Sequence, residues 1–496
     1  MTIRKTISAA SLLVLSAAFP AAAQVYTLDS CRNMAVGNNK NIRMAEEVVK
    51  GAGYDRKAAR AAYLPGFDFT GAYMYNQHNI NLLSPGDYLQ GLDMGSLEGM
   101  IGAIGQKYPA LGQLIQGAMQ DPAVAEAVGK LVGDVNGVVD FANGKLRKAT
   151  SYDVHNVFAG AITMTQPVYM GGQIRALNSI ADHTELAARA GRNALAQEVV
   201  YGVDQAYWMV VSLRHKQKLA ESFVELVDTL HYNVKCMLDE GVATKSNLLM
   251  VDVKLNEAKI ALTKVNNGLT LARMALAQLC GKPVDSDMHL TDEETEGYVP
   301  QSSDYSYDME DVYARRQDLE VVRQGISMLK GREKLALGMM LPKVGIIGAY
   351  SFSNPNVING FEKRFGGGFH IGAAVTIPLW HWGGNYNHYK ATKAATNSQR
   401  LALEDLEEKV QLQVKQAKFS YEEAYKTYDM TLSNLKSAQA NLDDATYGFH
   451  EGVITIDDVI GAQTAWLKAN SEKIDAEIGI RLCEVYLSKV LGNMRY

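Results

Sequence analysis

Apolar residues recur at alternating intervals of three and four along two long stretches of the chain, the pattern of helices that pack along a narrow seam. In the first stretch the seam is Leu248, Val251, Leu255, Ala258, Leu262, Val265, Leu269 and Ala272. Shifted by 211 residues it returns as Val459, Ala462, Trp466, Ala469, Lys473, Ala476, Ile480 and Cys483, with Lys473 its one polar interruption. The helices before them share a register too: Val199, Val203, Ala206, Val210 and Leu213 correspond to Val410, Val414, Ala417, Tyr421 and Ala424. The spacing predicts long helices over 173–240, 246–280, 385–450 and 456–491. Residues 173–240 contain no proline. At 1.5 Å per residue such a helix rises roughly 100 Å, a length for which a compact globular domain has no use.

Elsewhere the period falls to two. Phe67, Phe69, Gly71, Tyr73 and Tyr75 alternate with Asp68, Thr70, Ala72, Met74 and Asn76, and Val344, Ile346, Gly348, Tyr350 and Phe352 alternate with mostly small residues. With their returning segments these predict strands at about 66–77, 153–168, 343–354 and 368–380. Alternating segments of about ten residues are what a membrane barrel uses; a soluble sheet with one buried face is the other reading. Tyr169, Trp380 and Trp382 fall where strand gives way to helix, as expected of an aromatic girdle at a lipid-water boundary. Four strands cannot close a barrel, since open edges in lipid leave backbone groups unpaired, so a membrane location demands two copies or three.

The two halves are repeats. Leu64-Pro65 recurs as Leu341-Pro342, Pro167 to Gly172 as Pro378 to Gly384, Glu240-Gly241-Val242 as Glu451-Gly452-Val453, and Leu279-Cys280-Gly281 as Leu491-Gly492. The offset is 277 residues before the second landmark and 211 after it, so the first copy carries an insertion of about 66 residues within 82–150. The division is thus a first repeat over 24–281, a connector over 282–308 and a second repeat over 309–496. In the insertion Val124, Val128, Leu131, Val135 and Val138 predict a short amphipathic helix, placed as an extracellular cap because it joins two strands at the end away from the helices.

Composition narrows the location. Arg4 and Lys5, an apolar run from Ile7 to Phe19 and Ala21-Ala22-Ala23 form a secretory signal peptide over 1–23. No later stretch reaches the ~20 apolar residues of a membrane helix. The 49 basic and 54 acidic residues give a net charge of −5 without a basic stripe, which argues against nucleic acid. Cys31, Cys236, Cys280 and Cys483 are far apart and lack metal-site spacing, and each sits in a helical pattern. His370, His381 and His388 likewise lack ligand spacing. No phosphate loop, nucleophile elbow or Ser-His-Asp set is present. The chain therefore reads as no enzyme, with no catalytic residues, no cofactor and no metal. A periplasmic coiled-coil adaptor or scaffold would explain the helices, but not the aromatic strand pairs.

The order of these landmarks resembles the TolC-like outer membrane efflux protein family over essentially the whole mature chain. Thr27-Leu28-Asp29, Asn38 to Ile42, the two Leu-Pro pairs, the two proline-to-diglycine junctions and the two Glu-Gly-Val turns carry the resemblance. It implies a mainly α fold with membrane β: a two-repeat subunit of a trimeric 12-stranded β-barrel, continued by a long periplasmic α-helical barrel. It also implies a homotrimer in outer-membrane lipid, a passive exit duct for substrates from an inner-membrane transporter and a periplasmic adaptor protein, in efflux or type I secretion. By the same resemblance the turns at Gly241, Val242, Gly452 and Val453 form the adaptor-docking tip. Asp458, with Asp457, matches an acidic constriction; Asn247 is the first-repeat counterpart, and Gly461 stands where a second acid is common.

Overall fold

A computed structural model describes residues 25–77, 156–295, 305–356 and 364–494, with single positions 122, 126, 130, 134, 297 and 299. The expected signal segment, the expected extracellular cap apart from positions 122, 126, 130 and 134, and the predicted start of a strand at 153–155 lie outside the described residues.

The chain runs β1 (Val25–Tyr26), α1 (Leu28–Asn38), α2 (Lys40–Ala61), β2 (Gly66–Tyr75), β3 (Asn156–Met170), α3 (Gln173–Asp239), α4 (Lys245–Leu279), β4 (His289–Leu290), a 3₁₀ turn (Thr291–Glu294), α5 (Met309–Arg315), α6 (Gln317–Gly338), β5 (Lys343–Asn354), β6 (Gly366–Thr376), α7 (Gly384–His450) and α8 (Ile456–Val490). The repeat is visible in element lengths: α3 and α7 have 67 residues each, α4 and α8 have 35, and α2 and α6 have 22. Each 67-residue helix rises about 100 Å. Among the described residues no helix is long and apolar enough to cross a membrane.

Two compact units divide the chain. One comprises residues up to Gly51 with Leu186–Gln324 and Arg400–Tyr496; the other comprises Ala52–Glu185 and Gly325–Gln399. The first unit is built on the helical seams. Val251, Leu255, Ala258 and Leu269 are buried on α4, as are Val459, Ala462, Ala469 and Ile480 on α8. Each large aliphatic buried this way contributes about 1.5–3 kcal/mol, so the seam and not helix propensity holds these helices. Lys473 is accommodated in its seam by Glu477, whose carboxylate lies 2.9 Å from the ammonium and 3.4 Å from the Tyr428 hydroxyl. A second core joins α1, α3 and α4 through Cys31, Ala35, Val203, Tyr207, Val210 and Leu276.

The connector carries structure that its polar composition hid. His289–Leu290 pairs in parallel with Val25–Tyr26, so the start of the described chain and the connector share a two-stranded ladder. The last strand also differs from expectation: β6 ends at Thr376, not near 380, whereas β3 continues past 168 to Met170. Pairing explains both. Thr376 is already opposite Lys343, the first residue of β5, while β3 has β5 as a second neighbour that reaches Met170 through a bulge between Pro167 and Tyr169.

Candidate functional site

The second unit holds one four-stranded antiparallel sheet in the order β2-β3-β5-β6. The two hairpins are in equivalent register, Gly66 opposite Thr165 in one and Lys343 opposite Thr376 in the other. Because side chains alternate, that register collects the aromatic positions of all four strands on one face. Phe69, Ile162, Tyr350 and Phe369 form one cross-strand row, 67%, 46%, 46% and 69% exposed. Phe67, Met164, Gly348 and Ile371 form the next row. The opposite face is mostly small or polar, with Asp68, Thr163, Ala349 and His370 in line. An apolar face of this extent left open to the surroundings is not how a water-soluble sheet is built. Among the described residues β2 and β6 each lack a neighbour on their outer side.

The three residues expected to form a girdle, Tyr169, Trp380 and Trp382, lie at the end of this sheet where the helices begin. Tyr169 is on β3 opposite Val344, hence on the aromatic face. Trp380 and Trp382 follow β6 in the turn before α7, 72% and 87% exposed, with ring centroids 5.8 Å apart in an edge-to-face arrangement.

The first unit holds the two helical turns, and they are built alike. α3 and α7 both end on a left-handed glycine, Gly241 at φ 79° and Gly452 at φ 75°. Its amide and the next one reach back to the last helical carbonyls: Gly241 to Leu238 and Val242 to Met237, Gly452 to Phe449 and Val453 to Gly448. The following valines, Val242 and Val453, are exposed. α4 and α8 both start on a threonine cap. The Thr244 hydroxyl accepts from the Asn247 amide at 3.2 Å and donates to its side-chain oxygen at 2.6 Å. Thr455 does the same with Asp458 at 3.3 and 2.6 Å, and Asp458 accepts in addition from the Thr455 amide at 3.3 Å. Asp458 is thus a capping partner first, a role that favours a carboxylate at a helix start. Asp457 beside it is exposed. The two hairpins share a core in which Val227, Leu230, Val234, Val251 and Leu255 meet Phe449, Ile456 and Val459.

Sequence reasoning passed over the two threonines, although Thr-x-x-Asn and Thr-x-x-Asp before an apolar run are a helix-start signal. It also missed the polar contacts around β4, for which no local signal exists. Arg32 grips the buried Asp204 at 2.7 and 2.6 Å. Burial pushes the Asp204 carboxyl up and the Arg32 hydrogen bonds oppose it. Tyr207 donates to Asp292 at 2.5 Å. Lys218 and Arg214 both reach Glu294, at 2.5 and 2.9 Å, and these hydrogen bonds hold its carboxyl at about 2. Among the described residues no cluster of histidine, cysteine or carboxylate side chains is arranged to hold a metal.

A family model described as outer membrane efflux protein matches residues 130–282 and 309–493. The chain belongs to the outer membrane efflux protein family. It is accordingly an outer-membrane protein of a channel family, with its helices extending into the periplasm. Its fold is that of solved channels. The outer membrane protein VceC of Vibrio cholerae superposes with a TM-score of 0.69 at 14% identity, over 94% of this chain and 96% of that one. The Campylobacter jejuni CmeC outer membrane channel gives 0.70 at 14% identity, over 94% and 85%. The open-state Neisseria gonorrhoeae MtrE outer membrane channel gives 0.68 at 15%, over 94% and 88%. No curated protein matches by sequence.

Proposed function

We propose that three copies of this efflux-family chain assemble into one passive exit duct, each giving four strands to a twelve-stranded barrel in outer-membrane lipid and its long helices to a periplasmic tube. An inner-membrane transporter and a periplasmic adaptor protein supply energy and substrate, in efflux or type I secretion. The observation that carries this is the sheet itself: an exposed aromatic face on all four strands, with both outer edges unpaired among the described residues. In lipid those edges must be satisfied, and the same surface on another copy is the available complement.

The repeat supplies the register. Thr165 faces Ile347 within the chain, and the equivalents of those residues in β6 and β2 are Thr376 and Thr70. Thr376 would therefore lie opposite the partner's Thr70, and Trp380 opposite the partner's Phe67, as Tyr169 lies opposite Val344. This junction would also extend β6 beyond Thr376, where the single chain offers it no partner.

At the other functional site, Asp458 and Asp457 of three subunits would form an acidic constriction that favours cations, with Asn247 alternating between them. Exposed Val242 and Val453 beside Gly241 and Gly452 would seat the adaptor.

Cysteine cross-linking tests the assembly. Thr70→Cys with Thr376→Cys should give disulfide-linked trimers in the outer membrane. Gly71→Cys with Thr376→Cys, one residue out of register and pointing to the other face, should not. Equal cross-linking of both pairs, or none in either, would overturn the proposed junction.

A further inference from the structure

The cysteines stand as free thiols, but two of them are not isolated. Cys31 lies on α1 and Cys280 caps the C-terminal end of α4, and both are completely buried. The fold brings them together across 249 residues of chain, with the Cys280 sulfur 3.7 Å from the Cys31 carbonyl oxygen. The two thiols are close enough to perturb each other's ionisation. Cys236 is exposed on α3 and Cys483 is half-buried on α8, and neither has a cysteine neighbour among the described residues.

We propose that Cys31 and Cys280 form a disulfide in the exported protein. The periplasm that holds the helices is oxidising, and a facing pair of thiols there is a substrate for dithiol-disulfide exchange. In the folded protein the Cys31 hydrogen bond and the charge of Lys282 lower the Cys280 pKa against the effect of burial. Lys282, two residues along the chain, stays beside Cys280 before α1 docks and makes it the attacking sulfur. The Cys280 thiolate attacks the disulfide of a periplasmic thiol oxidant and displaces one of its sulfurs as a thiol. Cys31 then attacks the mixed disulfide, releasing the oxidant as a dithiol. Two protein thiols lose two electrons and two protons, and the oxidant gains them. Since both sulfurs are buried once α1 has docked, the exchange precedes that docking.

The bond would add a covalent tie to a segment otherwise held by non-covalent contacts. Before α2 the described chain is held by the two-residue ladder of β1 with β4, by the Arg32–Asp204 pair and by the core that Cys31 and Ala35 share with α3 and α4. A covalent tie between α1 and the end of α4 would close this region.

Protein extracted from outer membranes should be blocked with N-ethylmaleimide in denaturant without reductant and its intact mass measured. Two adducts are expected, rising to four after reduction, and a non-reducing digest should contain the Cys31 peptide joined to the Cys280 peptide. Cys31→Ser should expose one additional alkylatable thiol before reduction, at Cys280. Reductant should lower the thermal midpoint of the wild type and leave a Cys31→Ser, Cys280→Ser double variant unchanged. Four adducts without reductant, or a linkage through Cys236 or Cys483, would overturn the proposal.

Discussion

The Thr455 hydroxyl donates to the Asp458 carboxylate at 2.6 Å while the Asp458 amide donates back to that hydroxyl at 3.3 Å. In the first repeat Asn247 takes the same place against Thr244 with an amide oxygen at 2.6 Å. The helix start therefore needs an acceptor at this position and not a charge, which separates capping from any effect on ions.

Replacing Asp458 with Asn should leave the start of α8 intact, as Asn247 does for α4, with stability within about 0.5 kcal/mol of wild type. If three Asp458 carboxylates line a constriction, the same variant should lose cation preference in planar-bilayer recordings and conduct anions more readily. Asp458→Ala should also lose the side-chain half of the capping box, at a cost of no more than about 1 kcal/mol, while its amide still donates to the Thr455 hydroxyl. Unchanged ion selectivity in Asp458→Asn would reduce Asp458 to a cap.

Two left-handed glycines offer a comparison between strain and packing. Gly241 and Gly281 have φ values of 79° and 72°. A Cβ on Gly241 would meet nothing within 4 Å, whereas one on Gly281 would come within 2.6 Å of the Asn38 Cβ and 2.9 Å of its backbone. Gly241→Ala should cost about 1 kcal/mol, the backbone penalty alone. Gly281→Ala should cost clearly more, because α1 must shift away from the end of α4. Thermal midpoints of the purified protein would rank them, and equal losses would refute the packing argument.

Long-period features were legible in the sequence, and pairwise contacts were not. The three-four seams located α4 and α8 to within a residue because each seam position is a burial decision repeated many times along a helix. Glycine turns were legible because Gly241 and Gly452 occupy a backbone region that other residues rarely adopt. The end of β6 was misplaced because strand length depends on whether a neighbour is present, which residues 377–380 do not encode. Arg32 with Asp204 and Cys31 with Cys280 were illegible for the same reason: partners separated by 172 and 249 positions meet only when α1 lies against α3 and α4. Neither contact has an equivalent in the second repeat, so the internal repetition that exposed so much else was silent here.

Acid should loosen the contacts around β4. Lys218 and Arg214 hold the Glu294 carboxyl at about 2, below its unfolded value of ~4.3. A depressed pKa adds stability that is fully present above the unfolded value and is lost as pH falls towards about 2. Glu294 is largely solvent-exposed, so the gain is under about 1 kcal/mol. Glu294→Gln should remove this part of the pH dependence below ~4.3 and leave neutral-pH behaviour near wild type. Identical acid profiles for variant and wild type would show that the two cations contribute nothing.

The aromatic face makes the sharpest demand on the membrane reading. Phe69 stands in the row with Ile162, Tyr350 and Phe369 and stacks towards Phe352 with centroids 6.3 Å apart, while its neighbour Thr70 points to the small and polar face beside Ala161 and Ser351. If the aromatic face meets lipid, a lysine at Phe69 must hold its ammonium in hydrocarbon or drag water inward, costing about 2–4 kcal/mol near the bilayer midplane. Three subunits would each bear that cost. A lysine at Thr70 would face an aqueous interior and keep its hydration. Phe69→Lys should therefore deplete assembled, heat-modifiable protein from the outer membrane, and Thr70→Lys should leave its level close to wild type. A soluble sheet packed on its aromatic face would also suffer from Phe69→Lys, so localisation decides between them: wild-type protein released by alkaline or urea washes, without detergent, would place the sheet outside the membrane whatever the variants do.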